Sequence, residues 1–132
     1  GFFSVRAGER VITKKDTTTV YHQHYRTAIS CTNGQAIDAT LRVYSPMGDQ
    51  SLPDNTVVMT FAKAVFPVNG QAFLDAIHFV PFPGDPSVQD YEDHIPDFVV
   101  PVVFGLGHVS GTHQTLEDSS CAFPVTCGDY IK

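Results

Sequence analysis

Residues 81–101 constrain this chain more than any other segment. They carry five prolines and five acids and no lysine or arginine. A connection of that length in a small domain is usually functional or disordered, because ordering it needs contacts that a mere connector does not. The same segment holds Phe82, Tyr91, Ile95 and Phe98, enough apolar surface to pack down. Its flanks, residues 75–80 and 99–110, alternate apolar with small or polar residues as strands do. The expectation is an all-β domain, a barrel or a sandwich, that carries an elaborate structured acidic loop.

The rest of the chain reads the same way. Residues 17–25 are rich in Thr, Val and Tyr, and residues 27–31 form a short run ended by the turn signal Asn33-Gly34. Residues 37–44 alternate, with Ile37, Ala39, Leu41 and Val43 on one face and Asp38, Thr40, Arg42 and Tyr44 on the other. A polar loop follows to Asn55, then a β-rich run over 56–66 closed by Pro67 and Asn69-Gly70. Residues 73–80 and 99–110 are further strands, and 112–116 with 122–126 make a final hairpin around Glu117-Asp118. The one helix-tolerant stretch, 70–77, is short and ends in β-like residues.

Gly105, Gly107 and Gly111 interrupt the 99–110 run; glycines inside a strand mark bulges or barrel corners. About five to seven strands with such a kink predict a small barrel, OB-fold-like, with a β-sandwich or jelly roll as the alternative. The sandwich is weakened by the absence of Trp and of a widely separated cysteine pair with the arrangement expected of an immunoglobulin-like domain. In domain terms, residues 1–26 are read as an N-terminal basic arm or first strand, and 27–132 as a single β-barrel domain.

At 132 residues, 42% apolar and 17% charged, the chain is long enough for one core and unlike a disordered protein. No apolar run approaches a membrane span. Cysteines number three and no N-x-Ser/Thr site occurs, which predicts a reducing, intracellular compartment, with the nucleus as the location a nucleic-acid role would bring. The net charge of −6 argues against a polyanion partner, since nucleic-acid binders show a basic footprint. The charge is uneven, however. Residues 1–26 hold Arg6, Arg10, Lys14, Lys15 and Arg26 against Glu9 and Asp16, while much of the acid sits in 81–101.

No motif supports catalysis. His22-Gln23-His24 sets two imidazoles on one strand face, a spacing used by β-barrel metal enzymes, but no Glu follows and His108 and His113 lie far away in sequence. The run from Gly105 to Gly111 has the wrong spacing for a phosphate loop and no helix after it. Ser110, His113 and Asp118 lack a nucleophile elbow, and nothing lowers the thiol pKa of Cys31 or Cys121. Asp85, Asp90, Glu92, Asp93 and Asp97 lack the EF-hand pattern. The chain is therefore expected to be no enzyme and to need no metal or cofactor.

What remains is aromatic and basic residues on sheet positions. Single-strand binders stack bases on exposed aromatics and set Lys or Arg beside them for phosphates. Arg42 and Tyr44 share one strand face, and Phe61 and Lys63 share another; paired strands would bring the four into a groove that Phe82 or Tyr91 caps. The strings VVMTFAKAVFP, LDAIHFVPFPGDPSVQDYEDHIPDF and VPVVFGLGHVSG resemble uncharacterised proteins of mushroom-forming fungi, some of which are similar to OB-fold proteins of the replication-protein-A type. That resemblance, over roughly residues 27–132, implies binding of single-stranded DNA or RNA and assigns no residue a role. The alternative expectation is a protein-interaction module whose acidic 81–101 loop steers towards a basic protein partner, with Tyr91 and Phe98 as anchors.

Overall fold

The computed structural model describes residues 1–45, 50–68, 70–96, 101–105, 108–109, 111–112, 114–117, 121–122 and 125–126. Five strands make up most of it: β1 (Phe2–Lys15), β2 (Thr18–Ser30), β3 (Ala36–Tyr44), β4 (Thr56–Val65) and β5 (Ala72–Pro81). They hydrogen-bond in the order β1-β2-β3-β5-β4 and close into a barrel-like ring where β1 meets β4. All neighbours are antiparallel except β3 and β5, which run parallel because β4 lies between them in sequence.

Alternation explains which side chains fill the ring. From β2, Tyr25 and Ile29 point inward; from β3, Ala39 and Leu41; from β5, Ala72 and Leu74; Phe3, Val5 and Val58 complete the core. Ala39 and Ala72 are direct partners across the parallel pair. Burying Leu41 and Val58 completely contributes roughly 1.5–3 kcal/mol each. Buried polar groups on the same face are paired, the Thr27 hydroxyl donating to the Ser4 carbonyl at 2.8 Å and the Ser51 hydroxyl to Gln23 Oε1 at 2.6 Å.

Closure depends on β1, which serves two neighbours. Phe2 to Val5 pair with β4, and from Arg6 onward the strand pairs with β2. The change of direction falls at a bulge between Arg6 and Glu9. Ala7 sits there at φ +50°, and its N–H donates to Asp54 Oδ1 at 2.8 Å. Gly8 is required by space: a Cβ would lie 2.8 Å from both Ser51 Cβ and Tyr25 Cε1. Tyr25 has little freedom to retreat, since its hydroxyl accepts from Leu52 N–H at 3.1 Å and its ring stacks on Phe79 at 6.0 Å.

Several sequence expectations need correction. Within the segment read as an arm or first strand, Phe2–Lys15 is strand β1, and residue 26 lies inside β2, which runs unbroken through the two pieces read as 17–25 and 27–31. Arg26 faces outward from the strand and is exposed. The strand expected over 73–80 is β5, which runs one residue further at each end. Among the described residues of the run expected over 99–110, 101–105 are irregular and His108–Val109 is extended. The chain divides into compact units at Gly1–Pro101 and Val102–Lys132. In the second unit β6 (His108–Val109) pairs with β9 (Val125–Thr126), and β7 (Gln114–Thr115) with β8 (Cys121–Ala122), as nested antiparallel bridges.

The acidic loop is ordered by one aromatic residue over residues 82–96. Tyr91 opens a 3₁₀ turn, Tyr91–His94, and is buried. Its hydroxyl accepts from Val57 N–H and donates to the Phe82 carbonyl, both at 3.1 Å. Gly84, at φ +115°, lets the loop turn against the Tyr91 ring. No described helix is long and apolar enough to cross a membrane.

Replacing Gly8 by Ala is expected to cost about 1–3 kcal/mol, the range for forcing extra volume into a packed site. Urea unfolding checks this as a lower midpoint at unchanged slope. Tyr91→Phe leaves the buried Val57 N–H without its acceptor, at a cost of about 1–3 kcal/mol. Hydrogen exchange at Val57 should then accelerate before the ring as a whole opens.

Candidate functional site

The outward face of the ring is ordered by strand register into rows that run across the strands. One row holds Glu9 of β1, His24 of β2, Arg42 of β3, Asp75 of β5 and Lys63 of β4 as successive pairs. On one side of it lie His22 and Tyr44, again direct partners, with Phe61 opposite His78 on β4 and β5. On the other side lie Arg6, Arg26, Thr40 and Phe73. All these positions belong to the face opposite the core.

Arg42 is the most constrained of them. Its Nε donates to Asp75 Oδ1 at 3.0 Å and its terminal nitrogen to Oδ2 at 2.7 Å, a two-pronged carboxylate clamp. The guanidinium also lies 5.1 Å from the Phe73 ring centre. Lys63 is the partner of the same aspartate from β4. The cation expected to meet phosphate is thus already neutralised by Asp75.

Tyr44 is 65% exposed and Phe61 55% exposed, so both rings are open to a ligand. Each is edge-on to a histidine, Tyr44 to His22 at 6.3 Å and Phe61 to His78 at 6.4 Å. They do not share a groove. Phe61 and Lys63 are on β4, separated from Arg42 and Tyr44 by β5, and around a closed ring such strands face different directions. Nor do the loop residues cap one: Tyr91 is buried beneath its own loop, and Phe82 packs edge-on against it at 6.2 Å. Phe98 lies outside the described residues, as do Asp97, Ser110, His113, Asp118 and Cys127.

The residues that sequence reading weighed only for metal or for charge, and not for the groove, lie on β2. His22, His24 and Arg26 occupy alternate positions of one continuous strand beside β3. Both imidazoles have pKa values below the ordinary 6.5. Partial burial is the main cause, followed by Arg42; Asp75 opposes the shift at His22 and Glu9 opposes it at His24. No cluster of three or more metal-ligating side chains forms among the described residues. Cys31 is a free thiol, half-buried at the end of β2.

Two features flank the β2–β3 face. Beyond the last pair with β3, His22 with Tyr44, β1 and β2 continue as a two-stranded ribbon to the turn at Asp16. Arg10 lies over Tyr21 within it, 4.7 Å from the ring centre. At the other end the connection from β4 to β5 carries Phe66, 52% exposed, and a fully solvated Val68. No family model, curated protein or solved structure matches this chain.

A histidine whose folded pKa is depressed gives stability that is present above its unfolded value and is lost as pH falls through the folded value. Stability should therefore decline as pH drops below about 6.5, and His22→Gln with His24→Gln should flatten the decline. In NMR titrations Asp75→Asn should lower the His22 midpoint further, and Glu9→Gln that of His24.

Proposed function

We propose that this chain is a single-stranded nucleic-acid-binding module of OB type, without catalytic activity, and that it binds across the outer face of β2 and β3. The observation that carries this reading is the ring order β1-β2-β3-β5-β4 with a parallel β3–β5 pair. Five-stranded barrels of the OB class bind oligonucleotides on the face of their second and third strands, between the β1–β2 and β4–β5 connections. Here that face holds His22, His24, Arg26 and the exposed Tyr44. The β1–β2 ribbon and the Phe66–Val68 connection stand at its two ends.

The chemistry suits a single strand better than a duplex. Tyr44 offers a ring on which any base can stack, and stacking contributes about 1–3 kcal/mol per base. The two histidines add positive charge when a polyanion raises their pKa values. Arg42 acts here as a positioning residue, since its clamp to Asp75 fixes the surface beside Tyr44. Phe61, on β4, extends the apolar surface around the ring without joining the same face.

A second reading rests on the acidic loop. Asp85, Asp90, Glu92 and Asp93 are exposed on a segment that Tyr91 holds in one shape, and a preordered acidic surface suits a basic protein partner. Asp85 is engaged within the loop, its carboxylate accepting from the Ser87 N–H and hydroxyl at 2.9 and 2.7 Å, which lowers its pKa.

Fluorescence anisotropy with labelled single-stranded and duplex oligonucleotides, at about 50 and 200 mM salt, decides between them. Saturable single-strand binding that weakens with salt is expected. Tyr44→Ala should weaken it roughly ten- to a hundredfold, from the stacking energy of one base, while leaving the unfolding midpoint unchanged. Absence of binding at both salts would transfer the assignment to the loop and a basic protein.

A further inference from the structure

Arg6 of β1 and Arg26 of β2 are direct cross-strand partners, and both are exposed. Like charges directly opposite one another destabilise a strand pair. Other arginines of this chain are treated differently: Arg42 is clamped by Asp75 and Arg10 lies over a tyrosine ring. The guanidinium groups of Arg6 and Arg26 make no ion pair, hydrogen bond or ring contact among the described residues. In a chain with 14 acids and 8 lysines and arginines, two adjacent cations without a carboxylate are not the outcome that charge balance favours.

The pair also opens onto space. Arg6 and Arg26 line a cleft of about 520 Å³ that extends to Gly70 and Gln71, at the entry to β5. That volume lies within the range of small-ligand sites. Asp38 is the acid of the lining; it pairs with Ala28, two residues along from Arg26, and forms no ion pair with either arginine. The Gln71 amide supplies a further donor. An anion seated between the two guanidinium groups turns their repulsion into attraction, and their planar forks match the oxygens of a phosphate.

We propose that Arg6 and Arg26 form an oxyanion subsite that holds a phosphate group. Resting on the single-strand reading above, that group is a backbone phosphodiester of the bound strand. Arg26 is four residues from His22 on β2, about 13 Å at the rise of a strand. The phosphate held there and the base stacked on Tyr44 therefore belong to different nucleotides.

Two measurements on the full chain test this. The first is the thermal midpoint in inorganic phosphate against chloride at matched ionic strength. Phosphate should raise the wild-type midpoint, Arg6→Gln and Arg26→Gln should abolish the rise, and Asp38→Asn should enlarge it. In chloride alone each arginine variant should melt at or above the wild-type temperature, because a repulsion has been removed. The second is the salt dependence of single-strand binding, where each arginine variant should reduce the slope of log K against log salt by about one.

A phosphate effect equal in wild type and variants overturns the subsite, and so does an unchanged salt slope in variants that still bind oligonucleotides. An arginine-dependent phosphate effect without oligonucleotide binding keeps the subsite and removes the single-strand reading.

Discussion

The partner change within β1 is the constraint from which the rest of the molecule follows. A five-strand sheet closes only if one strand serves both edges, and a strand that does so must bend between its two partners. Here the bend is concentrated at Ala7 and Gly8. Ala7 adopts a left-handed conformation and gives its N–H to Asp54 instead of the ladder. Gly8 lets the strand pass within contact of the Tyr25 ring, which is fixed by Leu52 and Phe79. The turn before β4, the ring at the barrel mouth and the closure of the sheet are thus mechanically one feature. The bulge also sets register beyond it, and register is what brings Arg6 opposite Arg26 and Glu9 opposite His24.

The outer face shows how a protein of net negative charge can present a local cationic surface. In the row of Glu9, His24, Arg42, Asp75 and Lys63 each base stands next to at least one acid across the strands, so its charges largely satisfy one another. The depressed histidine pKa values come first from partial burial, and Arg42 adds to them by making a further positive charge beside it unfavourable. The neighbouring row lacks that compensation at Arg6 and Arg26. The difference between the two rows separates a structural ion pair, which is satisfied within the fold, from a pair of cations that needs a ligand to be satisfied.

Much of the architecture was legible in the sequence because burial imposes a period of two. Ile37, Ala39, Leu41 and Val43 were assigned to one face of β3; Ala39 and Leu41 of that face are in the core and Val43 packs against it, while Ile37 at its start is exposed, and Arg42 and Tyr44 do point outward. The Asn33-Gly34 turn was equally readable, with Gly34 at φ +83°. Reading failed where local composition and tertiary pairing disagree. Reading β2 as two pieces left Arg26 between them, so the one outward row it shares with His22 and His24 was missed. The groove assembled from Arg42, Tyr44, Phe61 and Lys63 assumed adjacent strands, whereas β5 intervenes, and strand order between non-consecutive strands leaves no trace in one sequence. Tyr91 was read as an accessible aromatic, but its hydroxyl is what an otherwise orphaned Val57 N–H requires.

The position of the acidic loop reconciles the overall charge with a polyanion partner. Phe82 N–H and Tyr91 tie the loop to Val57 of β4. β4 is two strands from β2 through β1 and two strands from β3 through β5, which is as far from the β2–β3 face as a five-strand ring allows. Charges on opposite sides of the ring are separated by more than the screening length of about 8–10 Å at moderate salt. The loop acids therefore weigh little on a ligand at Arg26 and Tyr44 once salt is present, but they slow the approach of a polyanion when salt is low. Net charge then governs encounter and the local face governs the bound state. Those two effects have opposite salt dependence, so association should be less sensitive to salt than dissociation.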